Sequence, residues 1–170
     1  MQSKHRRTTP AAQVALGGVL AAAALVILNM GTLIPVATYV CPMLCITLLE
    51  LVRRLCGSRM AWAWYGCVAI LSALMAPDKE AAAVFIFLGY YPIVRPWIEG
   101  RRGKWLIKAL LFNGATLLMY WVLMHLLGME RIVQEFYDLG IAMTALLLIL
   151  GNVTFFLLDI LLAGKRLRRR

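Results

Sequence analysis

Negative charge is scarce in this chain. Eight Asp and Glu stand against 18 Lys and Arg in 170 residues, and charged residues of both signs make up only 15%. A soluble domain carries about 25% charged residues, so the shortage excludes a water-exposed globule. Histidine is rarer still: His5 and His125 are the only two. No Ser/His/Asp spacing and no acidic metal motif is present, so no enzymatic reaction is expected. A glycine-rich phosphate loop is missing too, so energy for any transport would have to come from a gradient or from another subunit. Cys41, Cys45, Cys56 and Cys67 lack the spacing of a disulfide-stapled secreted domain. Cys41 and Cys45 lie one helical turn apart, but neither histidine supplies the further ligands a metal needs. They are expected to pack as small hydrophobes, with no metal and no cofactor. Without repeats or a low-complexity linker, residues 1–170 read as a single membrane domain.

What is abundant is apolar surface: 62% of the residues are hydrophobic and the mean hydropathy is +0.80. A helix of about 18 or more apolar residues crosses roughly 30 Å of hydrocarbon and satisfies its own backbone hydrogen bonds there. Six stretches qualify, at about 12–30, 33–52, 60–76, 81–98, 105–128 and 139–163. The expected fold is therefore an all-α integral membrane protein, a compact bundle of six transmembrane helices. Pro35 and Pro42 interrupt the second stretch, and Pro92, Arg95 and Pro96 the fourth. Interrupted helices need protein around their freed backbone groups, so both are expected inside the bundle.

The basic residues orient this bundle. Lys4, Arg6 and Arg7, then Arg53, Arg54 and Arg59, then Arg95, Arg101, Arg102, Lys104 and Lys108, and finally Lys165, Arg166, Arg168, Arg169 and Arg170 fall on one side, leaving only Lys79 and Arg131 on the other. That other side holds Asp78, Glu80, Glu130, Glu135 and Asp138. Short loops rich in Lys and Arg stay in the cytoplasm, so both termini are expected there, in a multi-pass protein of the cell membrane. The basic start "MQSKHRRTTPAAQ" is read as retained, because removing it as a signal peptide would leave five spans and break this agreement. A net charge of +10 dispersed over membrane-flanking segments serves insertion, so nucleic acid is not an expected partner. Membrane lipids are: the "KRLRRR" tail faces anionic headgroups.

In the first span, small residues recur four apart: Ala11 and Ala15, Gly17 and Ala21, Gly18 and Ala22. Small residues let helix backbones approach closely in lipid, either within one bundle or against another membrane subunit. Elsewhere, intramembrane polar residues are costly and mark protein or cavity surroundings. Tyr90 and Tyr91 fall near the middle of the fourth span, Asn113 and Asn152 near the middle of the fifth and sixth, and Trp121 and His125 one turn apart in the outer part of the fifth. They line one pocket, or they have separate structural duties: asparagines joining helices, an interfacial Trp, a satisfied neutral His. Glu50, three and four residues before Arg53 and Arg54, suggests a helical ion pair. Asp159, one turn inside the end of the last span, is expected to be neutralised by Arg95 or a tail base; a proton relay would require further partners along a path.

Six spans in about 170 residues, cytoplasmic ends and an Ala/Gly-lined first helix resemble the substrate-binding S component of energy-coupling factor transporters. The resemblance spans about Pro10 to Gly164. It implies capture of a vitamin, a precursor or a metal ion from outside, and work with a transmembrane coupling protein and two cytoplasmic ATPases. It further implies docking through the small residues Ala11, Ala15, Gly18 and Ala22. The His-rich amino terminus of the nickel or cobalt branch is absent, and no residue set matches one vitamin's site. The candidate substrate-binding residues are Asp78, Lys79, Glu80, Tyr90, Tyr91, Asn113, Trp121, His125 and Asn152. For Asp78, Lys79 and Glu80 in "LMAPDKEAAAVF" an equally complete reading is helix capping after Pro77, with no ligand at all. Two other classes stand behind the capture subunit: a membrane scaffold like the rod-shape protein MreD, with a filled interior, and a membrane-embedded enzyme.

Overall fold

Gly57, Pro77, Gly89 and Gly100 interrupt the helical run, whereas Pro42, expected to break the second stretch, and Pro96 both lie inside helices. In the computed structural model, which describes residues 10–30, 37–125, 145–146 and 148–163, the described residues form seven helices. They are α1 (Pro10–Asn29), α2 (Ala37–Cys56), α3 (Ser58–Met75), α4 (Lys79–Leu88), α5 (Tyr91–Glu99), α6 (Lys104–His125) and α7 (Leu148–Ala163). No strand occurs among the described residues. The basic start, Pro35, the "MERIVQEFYD" segment, the expected ends of spans five and six nearest it, and the basic tail lie outside them.

Among the described residues three stretches are long and apolar enough to cross a membrane: Ala11–Asn29, Lys79–Glu99 and Lys104–His125. Over its described length α7 is a shorter apolar helix. Span two, expected at about 33–52, is instead helical to Cys56. Arg53 and Arg54 remain helical because Glu50, one turn earlier, accepts from both guanidiniums. The helix stops at Gly57, whose φ of 91° is open to a residue without Cβ.

Span four breaks in the middle. Pro92 has no N–H to give, and α4 and α5 meet at a turn over Gly89 and Tyr90. The Ile86 carbonyl at this break accepts from the Tyr65 hydroxyl of α3. Gly89 is required there by crowding, since a Cβ would stand 2.3 Å from the Phe85 carbonyl oxygen and 3.1 Å from the Tyr65 ring. The broken segment lies inside the bundle, as its prolines demand: 61% of its most apolar window is buried, against 17% for α1 and 28% for α6.

Helix α2 is central and touches α1, α3, α4 and α5. Its Cys45, Ile46, Leu49 and Val52 pack with Leu28 of α1, Trp64 and Val68 of α3 and Phe85 of α4. A second cluster joins Tyr91 and Ile98 of α5, Phe112 of α6, and Phe155 and Leu162 of α7, with the Phe112 and Phe155 rings stacked at 4.7 Å. Cys56 Sγ contacts the Gln13 carbonyl and Arg54 Nη2 donates to the Leu162 carbonyl. The start of α1 and the end of α7 thus lie at the same end of the bundle, with the Asp78 turn at the other.

Candidate functional site

At the Asp78 end, three neighbouring charges take three different directions. Asp78 is the N-cap of α4: its Oδ1 accepts from the backbone N–H of Glu80 at 3.0 Å and of Ala81 at 3.1 Å. Its Oδ2 accepts from Thr38 Oγ1 of α2 at 2.8 Å. The capping reading holds for this residue, since α4 must satisfy its first N–H groups. Lys79 folds back and donates to the Ala73 carbonyl at 2.9 Å. Glu80 points between helices, and its Oε1 accepts from Tyr39 of α2 at 2.8 Å and from Tyr120 of α6 at 3.2 Å. One carboxylate oxygen therefore ties α2, α4 and α6 together, with the two phenol oxygens 3.5 Å apart.

The other candidate residues are not gathered around Glu80. Tyr90 sets its ring edge against Tyr65, with centroids 6.4 Å apart. Tyr91, its sequence neighbour, is fully buried and donates to Asp159 at 2.5 Å. Asn113 and Asn152 form a reciprocal amide pair, 3.0 Å in both directions, joining α6 to α7. Trp121 is 57% exposed and stacks on His125 with centroids 5.4 Å apart, on the outer surface of α6. Tyr120 turns toward Glu80 while Trp121 turns away, because adjacent helical positions are about 100° apart. Thr38, Tyr39 and Tyr120 are absent from the sequence-derived set. Their signal was weak, as a Tyr near a span end reads equally well as interfacial.

A second polar centre lies toward the opposite end. Asp159 Oδ1 accepts from Arg95 Nε at 2.6 Å, and its Oδ2 from Lys108 Nζ at 2.6 Å. Arg95 Nη2 also pairs with Glu99 at 2.5 Å. Asp159, Arg95 and Lys108 are each at most 5% exposed. Asp159 and the half-buried Glu99 balance the two buried cations. Arg95 is the partner expected from sequence. Lys108, grouped by sequence with the orienting loop bases, is the partner that was not foreseen, because only folding sets α6 against α7. Glu50 forms its expected pairs nearby, at 2.7 Å to Arg53 and 2.5 Å to Arg54. Among the described residues no cluster of His, Cys, Asp and Glu has the makings of a metal site, and the four cysteines are unbridged.

On α1 the small residues divide by face. Gly17 is buried where Trp64 Nε1 donates to its carbonyl at 3.1 Å, and a Cβ there would meet Met60 at 3.2 Å. Ala11, Ala15, Gly18 and Ala22 are turned out of the bundle, and a Cβ on Gly18 would meet nothing within 4 Å. No family model, curated protein or solved structure matches this chain.

Proposed function

We propose that this chain is the substrate-capture subunit of a micronutrient uptake transporter, similar to the S component of energy-coupling factor systems. In this reading it crosses the bacterial plasma membrane six times with both termini in the cytoplasm. It takes a small water-soluble molecule at the Asp78 end and docks on a transmembrane coupling protein driven by two cytoplasmic ATPases. It performs no chemical reaction of its own. The observation that carries the reading is the outward stripe of Ala11, Ala15, Gly18 and Ala22, which leaves room for a second helix backbone to approach. Glu80 supports the capture end: it reaches between α2 and α6 without capping a helix, beside two phenols suited to hold a compact solute.

The test is purification of the tagged full chain from its own membranes. Wild type should bring down a membrane protein and two ATPases, while Ala15→Trp should lose them and keep the melting temperature of the isolated subunit. A screen of vitamins and precursors should find one that raises that temperature in wild type, since a ligand of the native state alone must do so. Absence of ATPases together with absence of any stabilising solute would overturn the proposal.

A scaffold is the second reading, and the pairing of polar groups favours it. Asn113 with Asn152, and Asp159 with Arg95 and Lys108, satisfy one another as a filled interior requires. A scaffold would retain membrane partners without ATPases and would respond to no solute.

A further inference from the structure

The turn between α5 and α6 places Arg101, Arg102 and Lys104 within four positions, all exposed. Gly103, with φ 83°, closes the turn. These cations have no role in the buried ionic centre beneath them. The adjacent Glu99 pairs with Arg95, Lys108 is engaged by Asp159, and no ion pair among the described residues includes Arg101, Arg102 or Lys104. Two indoles flank the turn. Arg101 lies 3.7 Å over the Trp97 ring, and Lys104 stands 5.9 Å from the Trp105 ring. Trp97 is 59% exposed and Trp105 52%, with Trp105 leaning on Phe156 of α7 at 5.0 Å. Leu106 and Leu110, 75% and 74% exposed, follow in the first two turns of α6, one turn apart on one face.

We propose that the α5–α6 turn is a binding site for an anionic phospholipid, with its phosphodiester held by Arg101, Arg102 and Lys104 and an acyl chain laid along Leu106 and Leu110. The guanidinium fork matches phosphate oxygens in pairs, and the stacked indole holds Arg101 ready for that contact. Indoles sit by preference where headgroups meet hydrocarbon, which sets Trp97 and Trp105 at the level of the phosphate. A free phosphate would use the cations but not the leucine track. The inference rests on the membrane placement proposed above and not on substrate capture.

The full chain in detergent should bind phosphatidylglycerol at least about tenfold more tightly than phosphatidylcholine, read by native mass spectrometry of mixed micelles, since each cation near an anionic surface contributes on the order of fivefold. The triple change Arg101→Gln, Arg102→Gln, Lys104→Gln should erase most of that preference. An equal charge loss elsewhere, Arg6→Gln, Arg7→Gln, Arg59→Gln, should leave it standing. Should the triple variant fold poorly, Arg102→Gln alone, at an exposed position, should lower the preference about fivefold. Equal loss in both triple variants would show diffuse attraction and overturn the site, as would competition by inorganic phosphate at the concentration of the lipid. Carbonate washing of membranes separates the two claims: a chain that washes off overturns membrane placement and site together, and an embedded chain without the preference overturns the site alone.

Discussion

Lys108 Nζ stands 2.6 Å from Asp159 Oδ2, and this contact joins α6 to α7 across 51 positions of sequence. Both residues are almost wholly buried, so each charge depends on the other for the solvation it has lost. Arg95 and Tyr91 share the second oxygen of the same carboxylate, which makes Asp159 the hub and Lys108 one of three spokes.

From that asymmetry follows a graded loss. Asp159→Asn leaves two buried cations facing a neutral amide and should cost about 3 kcal/mol, the range for breaking a buried pair from one side. Lys108→Met should cost less, because Arg95 still neutralises the carboxylate. Denaturant unfolding in detergent reads both. Equal losses would mean that Asp159 is not the hub.

Gly89 should tolerate no side chain. A Cβ placed 2.3 Å from the Phe85 carbonyl oxygen forces the backbone of the α4–α5 break to shift, so Gly89→Ala should destabilise by about 1–3 kcal/mol, as overpacking does. Tyr65→Phe at the same break removes the donor to the Ile86 carbonyl and should cost about 1 kcal/mol. Unchanged melting temperatures for both would contradict the account of the break.

For the 78–80 turn, stability and ligand binding should separate by residue. Asp78→Ala removes a helix cap and should cost about 1 kcal/mol. Lys79→Ala, at an exposed position, should stay within about 0.5 kcal/mol. Glu80→Gln should abolish stabilisation by any solute found in the vitamin screen, with a smaller effect on the empty protein than Asp78→Ala. Retained stabilisation in Glu80→Gln would remove this residue from the substrate end.

The proposed topology is open to chemical labelling. In a background without Cys41, Cys45, Cys56 and Cys67, a cysteine at position 79 should react with an impermeant reagent in intact cells, and one at position 102 only after lysis. Labelling of both from outside would reverse or break the six-span arrangement.

Much of the fold was legible because apolar length and proline act locally. The breaks near residues 57, 77, 90 and 100 coincide with Gly or Pro, and the capping by Asp78 and the Glu50 ion pairs span at most four residues. Of the candidate site, single residues were legible and their grouping was not. Asn113 and Asn152 are candidate substrate residues by position and pair with each other in the fold, the alternative their positions also allow, whereas Tyr120, the side chain that reaches Glu80, is not a candidate although its neighbour Trp121 is. A stretch that is apolar all round carries no amphipathic signal to say which face turns inward.

Composition and local pattern specify an all-helical chain rich in membrane-length apolar segments, most but not all of its breaks, and the charges that must be neutralised if buried. Packing between distant segments selects the cation that neutralises Asp159 and the tyrosines that meet Glu80, and it turns Ala11, Ala15, Gly18 and Ala22 outward while Gly17 faces Trp64. The reason is geometric. Helix propensity and chain breaks are properties of a few consecutive residues, but the rotation of each helix about its axis is set by side-chain packing among segments distant in sequence, and a turn of 100° exchanges one neighbour for the next.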